Sequence, residues 1–301
     1  MTTEPLLLIL AMDQRDSIEQ QLYDLAAAPS HEESASIAAN KLLVYRGFLD
    51  AVADLPEGVR PGFLVDEQYG GSPAVLAGAD PRVSLAMPIE ASGRDWFDFA
   101  YGHDWRSHAE FFGAQHPKVL VHDNPGLPEH DRDEQANRLA GVSAWARQAD
   151  RELIVELLVG ATDDDLASVG GDTDRFDREV RPGLTVQAIE YLQDHGVEPA
   201  IWKVEGLDAR EDAERIAATA RRGDRDARCI VLGRNAPQER LDGWLRVAGP
   251  VEGFIGFAIG RSIWWEALEA RIAGDIDDVE ARRRIAANYT HFARTALDAR
   301  G

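Results

Sequence analysis

The chain has 301 residues, 53 acidic against 32 basic side chains, and a formal charge of −21, a balance that repels nucleic-acid phosphates and anionic lipid and so excludes nucleic acid and membrane as partners. A hydrophobic content of 45% excludes a disordered acidic tail. The single cysteine, Cys229, excludes an internal disulfide and fits a cytoplasmic protein, and no run is long and apolar enough for a membrane span. Three residues are lysines, Lys41, Lys118 and Lys203; the other basic side chains are arginines.

Apolar runs of strand length, rich in Val, Ile and Leu, recur at 6–12, 61–66, 83–87, 118–122, 152–158, 200–204, 229–232 and 253–259. Helical patterns fill most of the gaps, at 44–52, 131–150, 184–195, 208–222, 237–248, 262–272 and 279–299. Eight strands alternating with helices predict an α/β fold, a (β/α)8 TIM barrel, as a single domain over residues 1–301. The rival, a doubly wound open sheet, usually has a glycine-rich turn after its first strand, and AMDQRD has none. The acidic, glycine-containing segment 162–179 reads as a solvated loop, with a lid as the alternative.

A barrel keeps its chemistry at the C-terminal ends of its strands, and here those ends are polar. They carry Asp13 and Gln14, Asp66, Glu90, His122, Glu156, Lys203 and Glu205, Gly233 and Arg234, and Gly260 and Arg261. Period-two alternation puts Lys118, Glu156, and Lys203 with Glu205 on the faces opposite Val119 and Val121, Val155 and Leu157, and Trp202 and Val204. The outer face must be apolar to meet the helices, so the charged set points inward. A lysine there is costly to bury as a cation. Either it is paired for good with Glu156 or Glu205, or its amine is freed by a neighbouring cation, for which Lys118 is the candidate, to attack a carbonyl.

The loops after strands 7 and 8, where barrels often hold phosphate, read VLGRNAP and GFAIGRSIW. Their glycines admit close approach of an anion, and Arg234 and Arg261 supply charge. The histidines form no HExxH, and the acidic residues of 163–177 lack EF-hand spacing, so neither a metal nor another cofactor is expected.

The stretches ILAMDQR, FLVDEQYG, MPIEASG, KVLVHDNP, IVELLV, IWKVEGL, CIVLGR and GFAIGRSIW fall one per strand, in order. In them the chain resembles the class I aldolases that include tagatose 1,6-bisphosphate and sulfofructose-phosphate aldolases. It is most similar to an aldolase-like domain of inositol catabolism often fused behind 5-dehydro-2-deoxygluconokinase. The resemblance implies Lys203 as the Schiff-base lysine, Glu156 as the proton shuttle and Lys118 as a helper at the carbonyl. It implies Asp13 and Gln14 as contacts to the ketose phosphate, and Leu232, Gly233, Gly260 and Arg261 as the phosphate loops. Arg234 is a departure, since the tagatose enzymes have small residues there.

The expected partner is therefore a phosphorylated sugar or keto-acid substrate, with Asp66, Glu90 and Glu205 among its contacts; a homo-oligomer is compatible with the sequence. The implied reaction is retro-aldol cleavage, with 2-deoxy-5-keto-gluconate 6-phosphate giving dihydroxyacetone phosphate and malonic semialdehyde. Sulfofructose phosphate or a ketohexose bisphosphate are alternative substrates. A metal-dependent aldolase, a phosphosugar isomerase and a non-catalytic sugar-phosphate-binding barrel are the alternatives of other kinds.

Overall fold

The computed structural model describes residues 4–301. Eight strands, β1 (Leu6–Met12), β2 (Val59–Val65), β3 (Ser84–Pro88), β4 (His116–His122), β5 (Ile154–Leu158), β6 (Ile201–Glu205), β7 (Arg228–Leu232) and β8 (Phe254–Ile259), are all parallel. They pair in chain order and close where β8 meets β1, so the expected (β/α)8 barrel is the fold. β5 starts two residues later than the apolar run suggested, because Glu152 turns aside to pair with Arg60 and Arg228 at the opposite, N-terminal end of the barrel.

The alternation of each strand separates two cores. Leu7, Ile9, Ala11, Leu64, Ala86, Ile154, Ile201 and Ile230 fill the barrel, while their neighbours Leu8, Leu10, Val155, Trp202 and Val204 pack outward under the helices. Lys118, Glu156 and Lys203 follow the inward parity of Leu120, Ile154 and Ile201. The helical ring includes α1 (Asp16–Gln21), α2 (His31–Val52), α3 (Glu67–Ala79), α4 (Trp105–Phe111) and α5 (Glu129–Gln148). It continues with α6 (Asp163–Ser168), α7 (Thr173–Arg175), α8 (Arg181–Asp194), α9 (Arg210–Ala220), α10 (Gln238–Ala248), α11 (Arg261–Ile272) and α12 (Asp278–Arg300). Their starts are chemically marked: Ser30 and Glu33 form a capping box on α2, Asp66 caps α3 and Asp277 caps α12. No helix among the described residues is long and apolar enough to cross a membrane.

Segment 162–179 is not the loop expected from its composition. Thr162 and Asp165 form a second capping box that starts α6, Asp172 caps α7, and a π-helical turn over Phe176–Val180 leads into α8. Val169 and Phe176 are buried beneath it, so local caps and two apolar anchors order a stretch whose acidity suggested solvation.

Between β7 and β8 the register advances two residues on one strand against three on the other, from Cys229↔Phe254 to Val231↔Phe257. The bulge falls at Gly256, whose φ is +144° and where a Cβ would stand 2.0 Å from the carbonyl oxygen of Leu7. Gly256→Ala is therefore expected to destabilise the barrel by about 2–4 kcal/mol, the combined cost of backbone strain and overpacking, measured by urea denaturation. An unchanged midpoint would contradict this placement.

Candidate active site

Glu156 and Lys203 are direct partners in the β5–β6 register, so both reach the same level inside the barrel, and Lys203 Nζ lies 2.8 Å from Glu156 Oε1. Lys118 pairs with Ile154, one inward layer lower, and its stem climbs to the same level. There its ammonium stands 2.8 Å from each of Asp13 Oδ2, Glu90 Oε1 and Glu156 Oε2. Three carboxylates thus surround one cation that belongs to the chain itself, and Glu156 bridges it to Lys203. Lys203 and Lys118 are only 2% and 3% exposed.

Burial opposes every charge in this cluster, and the pairings decide the outcome. For Asp13, burial is outweighed by the ammoniums of Lys118 and Lys203, which hold the carboxyl well below its ordinary range. Glu156 is likewise lowered, with burial opposing and the same two lysines prevailing. Lys118 is raised well above an ordinary lysine, because its three carboxylates overcome the desolvation. Glu90 goes the other way: burial raises it, and Lys118 and Arg15 offset this only in part. Its Oε2 also has no partner among the described residues, which makes it the most readily protonated carboxyl of the set.

The cluster forms the floor of a cleft of about 540 Å³, walled by Asp13, Gln14, Arg15, Glu90, His122 and Arg261. A narrower recess of about 150 Å³ continues from it past Glu156 and exposes Lys203 to Leu232, Gly233, Arg234, Gly260 and Arg261. The two share Gln14, Glu156, Leu158 and Arg261. Gly260 has to be glycine, since a Cβ would lie 2.6 Å from the Ala11 carbonyl oxygen and 3.1 Å from Gln14 Nε2. Trp264 donates its indole N–H to the same Ala11 oxygen at 2.9 Å and holds the end of β1 against α11, a packing role. Arg261 begins α11, so the helix N-terminus and a guanidinium engaged, among the described residues, only by Gln21 face the recess together.

Three expected site residues stand elsewhere or are already engaged. Asp66 does not border the cleft: fully buried, it accepts the Tyr69 N–H at 2.8 Å as the cap of α3 and pairs with Lys41. An acid just after a strand is a site position in a barrel, but it is also the N-cap of the next helix, and here the second role applies. Glu205 shares the inward parity of Lys203, yet as the last residue of β6 it turns away. It accepts the Val159 N–H at 3.0 Å, pairs with Arg181 at 3.2 Å and with Arg234 at 3.0 Å, and faces an adjoining cavity beside α6 and α7 that meets the cleft at His122 and Leu158. Arg234 borders the recess as expected, but its guanidinium is committed to Asp177 at 2.9 Å and to Glu205, leaving Arg261 as the less engaged cation. In return the structure adds Arg15, whose Nη1 donates to the Glu90 carbonyl oxygen at 3.0 Å, and His122 on the cleft wall. Both stand in the strand-end motifs, which were the signal for them.

A family model described as an uncharacterized protein conserved in bacteria (DUF2090) matches residues 1–299. No curated protein matches the sequence. Among solved structures, the fructose-bisphosphate aldolase of Plasmodium falciparum, crystallised with TRAP and a small-molecule inhibitor, superposes with a TM-score of 0.62 at 12% identity, over 96% of this chain and 89% of that one. Cgl0159 of Corynebacterium glutamicum superposes with a TM-score of 0.58 at 15% identity, over 97% of this chain and 87% of that one. These likenesses bear on the fold alone, a (β/α)8 barrel.

Proposed function

The chain belongs to the family of uncharacterized bacterial proteins DUF2090, and from that premise and the buried Lys118–Glu156–Lys203 set we propose that it is a class I aldolase, a lyase that cleaves a phosphorylated keto-sugar or keto-acid through a Schiff base on Lys203. The observation that carries this reading is a single carboxylate held between two lysine ammoniums, only one of which opens on the recess.

In this reading an ammonium and a ketone give an iminium and water, with charge conserved. Glu156 takes a proton from Lys203, and the freed lone pair attacks the carbonyl carbon. A second proton passes from the attached nitrogen to the new alkoxide, Glu156 returns the first to the same oxygen, and it departs as water. The cation of Lys118 favours the carboxylate to which Glu156 then reverts. As a carboxylate again, Glu156 removes the proton of the hydroxyl next to the scissile bond. The carbon–carbon bond breaks, its electrons enter the iminium to give a neutral enamine, and an aldehyde leaves. Reprotonation of the enamine carbon and hydrolysis release the ketone product and restore Lys203. The iminium is the electron sink, so the chemistry calls for no metal.

The phosphate is assigned to the recess, to the backbone of Leu232, Gly233 and Gly260 and to Arg261. Asp13, Gln14 and Glu90 meet the remainder of the substrate in the cleft. The substrate proposed is 2-deoxy-5-keto-gluconate 6-phosphate, giving dihydroxyacetone phosphate and malonic semialdehyde. Sulfofructose phosphate or a ketohexose bisphosphate are the alternatives for the same machinery.

The test needs no knowledge of the aldehyde. In D₂O with EDTA present, the protein is expected to exchange a hydrogen of the hydroxymethyl carbon of dihydroxyacetone phosphate for deuterium, seen by NMR, because enamine formation labilises it. Absence of exchange, or exchange seen only when EDTA is left out, would overturn the proposal.

A further inference from the structure

Two of the three lysines of this chain meet the end of β1, Lys118 through Asp13 from inside the barrel and Lys41 from outside it. Lys41 lies on α2 and is 0% exposed. Its ammonium donates to the carbonyl oxygens of Met12 at 2.9 Å and Gln14 at 2.7 Å, and to the carboxylate of Asp66. An ammonium has three N–H groups, and all three are used. The two carbonyls flank Asp13, so Lys41 grips the backbone on both sides of the residue whose side chain, on the inner face, meets Lys118 at 2.8 Å. The same grip sets the path of Gln14 and Arg15, which border the cleft, and Asp66 anchors the cation from the end of β2.

We propose that Lys41 is a positioning residue of the active site: by holding the carbonyls of Met12 and Gln14 it fixes the direction from which Asp13 meets Lys118, and so where Lys118 stands against Glu156. This rests on the aldolase reading above. It also accounts for a lysine in a chain that otherwise uses arginine. Three acceptors gathered around one point suit a tetrahedral ammonium, whereas a planar guanidinium brings five N–H groups that this enclosed place cannot satisfy. A buried ion pair alone is weak reason to keep such a residue; control of backbone geometry beside a reacting set is a stronger one.

The test compares wild type, Lys41→Met, Asp13→Asn and the double variant in the deuterium exchange of dihydroxyacetone phosphate, with rates referred to the folded fraction measured by circular dichroism. Lys41→Met is expected to lower kcat by about 10²-fold with KM changed less than about threefold, since misplacement of the reacting groups rather than loss of a binding contact is the defect. Because Lys41 acts through Asp13, the double variant is expected to be no slower than the slower single one. Should Lys41→Met fail to fold, Lys41→Gln, which keeps two donors, carries the test, with an expected loss of about tenfold in kcat. An unchanged kcat per folded molecule, or losses that multiply in the double variant, would overturn the role of Lys41 while leaving the aldolase reading intact. Absence of exchange in wild type would instead overturn that reading.

Discussion

Lys203→Met is expected to fold and to lose turnover by at least ~10⁴-fold, more than about 5 kcal/mol of transition-state stabilisation. Methionine fills nearly the volume of the lysine stem in its buried site, and Glu156 keeps its 2.8 Å partner Lys118, so no carboxylate is stranded. What disappears is the amine, and with it the covalent bond between protein and substrate on which the later steps depend. Lys203→Arg separates the two possible uses of the residue. Arginine preserves the positive charge opposite Glu156 but forms no Schiff base. If the pair with Glu156 is merely structural, arginine restores function; the account here requires Lys203→Arg to be as inactive as Lys203→Met.

The second large effect is one of stability. Lys118→Met removes the shared cation of Asp13, Glu90 and Glu156, and at pH 7 it is expected to cost about 3–5 kcal/mol, because the carboxylates stay buried with too little compensation. The pH dependence gives the signature. In wild type, Asp13 and Glu156 have folded pKa values below their ordinary 3.8 and 4.5, so their contribution is complete above those values and is lost as pH falls through the folded ones. Glu90 has the opposite sign: raised above 4.5, it costs stability as pH rises through its folded value. Without Lys118 all three carboxyls move upward. The variant should then be least stable near neutrality and gain stability on acidification toward pH 4, closing much of its gap to wild type. Urea denaturation across pH 4–8 measures this. A gap that stays constant with pH would contradict the shared-cation arrangement.

Much of this site was legible in the sequence, for a physical reason. A barrel strand has an apolar outer face, so a charged residue of opposite parity has one place to go, and Lys118, Glu156 and Lys203 went there. The eight strands were visible because buried parallel strands are apolar along their length. Parity, however, says nothing about a side chain at the last position of a strand, which is how Glu205 came to face Arg181 and Arg234 instead of Lys203. Lys41 carried no local signal. On an amphipathic helix a lysine reads as solvated, and only the fold discloses that its position meets two carbonyls and Asp66. The expectation for segment 162–179 failed through composition, since acidity hid the capping pairs that order it.

The proposed chemistry rests on a covalent bond between Lys203 and a ketose phosphate. Its most direct measurement is reduction with sodium borohydride in the presence of dihydroxyacetone phosphate, followed by peptide mass spectrometry. One stable adduct is expected on Lys203, absent from Lys203→Met and unaffected by EDTA. No adduct, or an adduct on Lys118 or Lys41 with Lys203 unmodified, would contradict it.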